Sequence, residues 1–121
     1  MNKHLTNRFE YNLFIGGEWL ASSQPRIDVI NPADGSFVGS VANAGTGEAL
    51  AAVRAAHDAG PAWAATSPRE RSVILQRCFE LMQAEAEDLA RLITMENGKS
   101  LTDARGEVAY AAEFFRWFAE E

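Results

Sequence analysis

The stretch VAYAAEFFRWFAEE, residues 108–121, limits the fold more than any other part of the chain. Wound as a helix at about 100° per residue, it lines up Val108, Ala111, Phe115 and Phe118 as one stripe. Tyr110, Phe114 and Trp117 form a second stripe beside the first. Arg105, Glu113, Arg116 and Glu120 mark the solvent side. Two adjacent apolar stripes cover about half the circumference and need neighbours on two sides. No Gly, Pro or basic last turn follows to close such a helix, and the residues alone leave open what covers its two stripes.

The rest of the composition narrows the class. A length of 121 residues suits one domain with a single core. A net charge of −6 argues against a nucleic-acid partner and against an anionic membrane surface, both of which attract basic patches. No apolar run approaches the roughly 20 residues of a spanning helix. The opening MNKHLTNRFEYN has no apolar segment of the kind a secretory signal carries. The single cysteine permits no internal disulfide and suits a reducing cytoplasm.

Residues 1–10 read as a loosely ordered terminus. A β-hairpin arm is expected over 11–44. In it, Leu13 to Ile15 precede Gly16-Gly17 and a short run through Trp19, and the glycines supply the positive φ of a tight turn. A second β-turn unit follows, with Val29-Ile30 leading through Asn31-Pro32 and Asp34-Gly35 to a strand from Phe37 to Val41. From position 45 to 121 the period changes to 3.6 and three or four helices are expected. Thr46 reads as a cap and Gly60-Pro61 as a stop. Ser67-Pro68-Arg69-Glu70 predicts a capping box. Ile74, Cys78, Met82, Leu89 and Ile93 predict a buried stripe, interrupted near 83–85, and Asn97-Gly98 a C-cap. Ser100 and Asp103 predict a second capping box.

No catalytic constellation emerges from the residues. GKS at 98–100 resembles the tail of a phosphate loop, but Ile93 stands where that loop needs its first glycine. GTGEAL at 45–50 carries two glycines of a dinucleotide fingerprint and Leu50 in place of the third. Cys78 lies within the apolar stripe rather than in an electropositive, open setting, and reads as core. His4 and His57 are too few and too far apart for a two-histidine metal site. The acidic run at 85–90 reads as a solvated helix start. Glu107 falls inside the apolar arc of the last helix and admits two readings. It is either a first-turn acid favoured by the dipole, or a partly buried carboxylate paired with a group outside the chain.

The ordered series LFIGGEW, NPADGSFVGSV, AAHDAGPAW, SPRERSVILQR and LARLITMENGKSLTDARGEVAYAAEFFRWFAEE resembles the N-terminal portion of the NAD(P)-dependent aldehyde dehydrogenases. Its last piece is most like the succinate-semialdehyde branch, with the glutarate-semialdehyde enzymes close by. The resemblance implies an α/β family fold of which this stretch supplies two small β-turn/hairpin units followed by three or four α-helices, the helices belonging to the cofactor-binding domain. It implies a soluble cytoplasmic homo-oligomer that takes a small aldehyde and uses NAD or NADP. In such enzymes a Cys thiolate attacks the aldehyde, hydride passes to the nicotinamide, and a Glu-activated water hydrolyses the thioester. Those groups, and the cofactor site, are expected beyond position 121, so that no catalytic or cofactor-binding residue is assigned here and the chain alone is expected to be inactive.

Two roles are carried over by the same resemblance. A monovalent cation is implied between a backbone carbonyl just before NP, at Val29 or Ile30, and the carboxylate just before NGK, Glu96. Gly106 and Tyr110 match positions bordering the substrate entrance, although Tyr110 reads equally as core from its spacing alone. The competing reading is a free-standing acidic helical module that homodimerises through its aromatic last helix.

Overall fold

The computed structural model describes residues 9–121. The strands are β1 (Phe9–Tyr11), β2 (Leu13–Ile15), β3 (Glu18–Leu20), β4 (Ile27–Ile30) and β5 (Phe37–Val41). The helices are α1 (Thr46–Ala65), α2 (Pro68–Ala84), α3 (Ala86–Asn97) and α4 (Leu101–Glu120). The chain divides into two compact units, Met1–Ile30 with Gly35–Ala65, and Asn31–Asp34 with Thr66–Glu121. Among the described residues no helix is long and apolar enough to cross a membrane.

In the first unit, Gly16 (φ 64°) and Gly17 (φ 87°) provide the two positive φ angles that let β2 and β3 pair antiparallel across a two-residue turn. Phe14 faces Trp19 across this ladder, ring centroids 4.9 Å apart. The second expected hairpin is also present, with β4 antiparallel to β5. The sequence did not announce β1, which pairs parallel with β5 to give the order β1-β5-β4. A three-residue strand joined to a distant partner has no turn to signal it. The expectation of a loose terminus lies outside the described residues over 1–8, and Phe9 and Glu10 belong to this strand. Arg26 ties the sheet together. Its Nε donates to Ser40 Oγ at 2.9 Å, its Nη1 to Asn12 Oδ1 at 3.1 Å, and its Nη2 to the carbonyls of Tyr11 and Ser40 at 2.8 and 3.0 Å.

Helix α1 departs from expectation at both ends. Its N-cap is Gly45, whose carbonyl accepts from Ala49 N–H at 3.0 Å, and Thr46 is the first helical residue. Glu48 performs the capping. One carboxylate oxygen accepts from Gly45 N–H at 3.0 Å, the other from the Ser23 hydroxyl at 3.0 Å. The helix also runs through Gly60-Pro61 to Ala65 instead of stopping. Proline removes one hydrogen bond and crowds the preceding turn, but Ala62, Trp63, Ala64 and Ala65 continue as helix formers, and the chain next breaks only before the cap of α2.

In the second unit Ser67 and Glu70 close the predicted capping box, with Glu70 N–H donating to Ser67 Oγ at 3.3 Å and Ser67 N–H to Glu70 Oε2 at 3.1 Å. Ser100 caps α4 by accepting from Asp103 N–H at 3.1 Å. Its hydroxyl donates to the Asp103 carboxylate at 2.8 Å, so the reciprocal bond is side chain to side chain rather than that of a full box. The core is a small-residue seam between α3 and α4, formed by Ala90, Ala104 and Val108 with Ala86, Leu89, Ile93 and Leu101 packed around it. Alanines let the helix backbones approach closely. On α2 the half-buried face runs through Ser72, Leu75, Phe79 and Met82, and Ile74, predicted buried, faces outward. Ser72 Oγ donates to the Ala119 carbonyl at 2.5 Å, which joins α2 to the end of α4.

Candidate functional site

The corner joining α3 to α4 sets the position of everything that follows it. Gly98 ends α3 in the left-handed conformation (φ 78°), and its N–H donates to the Thr94 carbonyl at 2.9 Å. Lys99 then pairs with Glu107 across the first turns of α4. This decides the two readings of Glu107 against a missing outside partner. The side chain is half exposed, and its partner lies in this chain. A helical wheel does not show the pair because Lys99 precedes the helix. One turn further, Arg105 donates from Nε and Nη2 to the two Glu87 oxygens, each at 2.9 Å, and Arg91 adds a contact to Glu87 at 3.3 Å. The Arg105 hydrogen bond is the main reason the Glu87 carboxyl is held below the ordinary carboxylate range. This exposed fork clips α4 to α3 in the rotation that their buried Ala90–Ala104–Val108 seam sets.

The rotation buries Ala104, Val108, Ala112 and Ala119. It leaves Tyr110 68% exposed, Phe118 61% and Trp117 57%. Phe118, predicted to share a buried stripe with Val108, instead joins the second stripe on the outside. Tyr110, Glu113, Phe114, Trp117 and Phe118 line one open apolar depression. Within it Tyr110 meets Phe114 edge-on, ring centroids 5.0 Å apart at 83°. Within this chain Tyr110 therefore stands outside the core. Gly106 lies one turn before it, and a Cβ built there would meet nothing within 4 Å. The chain's own packing gives no reason for glycine at that position, where the helix is weakened by roughly 0.8–1.0 kcal/mol relative to alanine.

The residues assigned to a cation fall in both units. Val29 and Ile30 are the last residues of β4. The register of the β4–β5 ladder shifts between them, Val29 pairing with Gly39 and Ile30 with Phe37. Such bulges break regular backbone pairing and re-aim the groups around them. Glu96 is exposed in the last turn of α3, in the other unit. A backbone carbonyl and a carboxylate are each hard oxygen donors. Among the described residues no cluster of three or more His, Cys, Asp or Glu could hold a metal ion. Cys78 is half-buried and free, and His57 is exposed on α1. His4 lies outside the described residues.

Comparison with known proteins bears on the fold. The profile of the aldehyde dehydrogenase family matches residues 19–121. The NADP(+) succinate-semialdehyde dehydrogenase of Escherichia coli K12 is 50% identical over 117 residues, 96% of this chain and 24% of that enzyme. The glutarate-semialdehyde dehydrogenase of Pseudomonas putida is 51% identical over 114 residues, 93% of this chain and 24% of that enzyme. The crystal structure of an E. coli NADP-dependent enzyme superposes with a TM-score of 0.88 at 49% identity, covering 93% of this chain and 24% of its own. The chain thus spans about a quarter of the length of the curated relatives it matches. Nothing in these likenesses supports the free-standing module. With the family profile matched over residues 19–121 by two hairpin units followed by four helices, the chain belongs to the aldehyde dehydrogenase family.

Proposed function

We propose that this chain is the structural N-terminal portion of a cytoplasmic, homo-oligomeric semialdehyde dehydrogenase that oxidises succinate semialdehyde, or the one-carbon-longer glutarate semialdehyde, with NAD or NADP. The observation that carries the reading is the near-50% identity, over almost the whole chain, to enzymes with those two substrates. Residues 11–44 are read as the hairpin arm and 45–121 as the helical start of the cofactor-binding domain.

Within that enzyme the chain's own residues shape and support. Gly106 and Tyr110 border the substrate entrance, a role supported by the missing side chain at 106 and the outward ring at 110. Glu96 and the carbonyl of Val29 or Ile30 supply oxygen ligands to a monovalent cation, which would brace the protein electrostatically. The reacting groups and the dinucleotide site are read as lying beyond this stretch, a reading supported by relatives about four times as long. The catalytic thiolate is not assigned to Cys78.

Steady-state kinetics of the complete protein test the substrate. A site that grips the substrate's carboxylate uses charge-assisted hydrogen bonds of about 1.5–3 kcal/mol. Succinate semialdehyde is therefore expected to exceed an uncharged aldehyde of equal length in kcat/KM by roughly ten- to a hundredfold. Equal values for the two would reject the semialdehyde assignment.

A further inference from the structure

A glycine that ends a helix with φ 78° is ordinarily explained by that angle alone, and asparagine then serves as a tolerable substitute. Gly98 carries a second, steric constraint. A Cβ built on it would lie 2.9 Å from Pro32 Cγ and 3.8 Å from Pro32 Cβ. Pro32 belongs to the turn Asn31–Asp34, which packs in the same unit as the helices. That turn has little room to yield. The proline ring fixes its own φ, and the Asn31 carboxamide oxygen accepts from Ala33 N–H at 2.9 Å. Gly106, in the same unit, shows the contrast, since a Cβ there meets nothing.

We infer that Gly98 and Pro32 form a latch, in which the N–P turn seats on the C-cap of α3 because residue 98 has no side chain. The latch makes Pro32 a positioning residue for the corner at 97–100, from which Glu96, the Lys99–Glu107 pair and the Ser100 cap all extend. Its functional consequence rests on the cation reading proposed above. Ile30 precedes Pro32 by two positions and Glu96 precedes Gly98 by two, so each residue to which that reading assigns a ligand is two peptide units along the chain from one half of the latch.

The test uses the complete protein with Gly98→Asn, Pro32→Ala, the double variant and Glu96→Ala, and follows thermal unfolding over a series of potassium chloride concentrations, with choline chloride holding ionic strength constant. Gly98→Asn is expected to lower the unfolding temperature, and Pro32→Ala to cut that loss by at least half, because removing the ring makes room. Equal losses in both backgrounds, or none, would overturn the latch and leave backbone conformation as the whole reason for the glycine. Should Gly98→Asn not fold, Pro32→Ala alone decides. Hydrogen exchange at the Gly98 amide is then expected to quicken several-fold, and an unchanged rate would overturn the latch. Pro32→Ala is also expected to raise several-fold the potassium concentration that half-saturates stabilisation, and Glu96→Ala to abolish potassium dependence. Undiminished potassium dependence in Glu96→Ala would sink the cation reading and the latch's consequence for it, while the unfolding temperatures judge the latch itself.

Discussion

Tyr110 shows what one side chain reveals about a surface. A tyrosine this exposed, edge-on to Phe114 in an open apolar depression, contributes little to the packing of its own helices. Its hydroxyl and ring suit a position where apolar contact on one side meets water or substrate on the other. In the complete protein Tyr110→Ala is expected to change the ratio of kcat/KM between short and longer aldehydes by about 1–3 kcal/mol, the worth of a methylene or so in an apolar pocket. Thermal stability is expected to stay near that of the parent. A flat ratio together with a stability loss of about 3–5 kcal/mol would instead identify a ring buried by the rest of the enzyme. At this scale the sequence was legible where a residue's partner is local. The Asn97-Gly98 cap could be read because both constraints sit in one turn. The Lys99–Glu107 pair and the Pro32–Gly98 contact could not, since each joins residues on different elements and leaves no periodic signal.

Elements repeat the distinction. The start of α2 was fully legible, because Ser67, Pro68 and Glu70 act within four positions of one another. Ser67→Ala is expected to destabilise by about 1 kcal/mol, measured by denaturant unfolding. It is also expected to alter the acid limb of stability. Hydrogen bonds from the Ser67 hydroxyl, then from its backbone N–H, hold the Glu70 carboxyl below its ordinary value of 4.5. A folded-state value lowered in this way contributes stability that is fully present above the unfolded value and disappears as pH falls through the lowered one. Removing the hydroxyl returns Glu70 toward its ordinary value, so the variant's stability should depend less on pH below about 4.5. An unaltered acid limb would show that Glu70 is not held by Ser67. The length of α1 was misread for the opposite reason. Gly60-Pro61 is a local stop signal, but the alanine-rich residues after it keep the helical path despite the proline. Of the stripe Ile74, Cys78, Met82, Leu89 and Ile93, Ile74 alone turns outward, because α2 lays its Ser72–Met82 face against α4.

At the scale of the molecule, the number of large apolar side chains in water is what needs explaining. Among the described residues no large side chain is fully buried, while Trp19, Trp63, Ile74, Tyr110, Trp117 and Phe118 stand exposed. Large contiguous apolar patches are uncommon on monomers, and Tyr110, Phe114, Trp117 and Phe118 together line one. The chain spans about a quarter of its relatives' length, and on the proposed reading the remaining polypeptide covers these faces. Produced alone, the 121-residue chain is expected to bind dyes that report exposed apolar surface and to sediment in a concentration-dependent way. A clean monomer with one sharp unfolding transition would oppose this. The central claim, that these residues support an aldehyde-oxidising site without containing its chemistry, is tested most directly by following reduced-cofactor absorbance. The isolated chain and the complete protein are each supplied with NAD, NADP and a set of semialdehydes. The account predicts turnover by the complete protein and none by the isolated chain. Turnover by the isolated chain that survives purification and is lost in Cys78→Ala would contradict it.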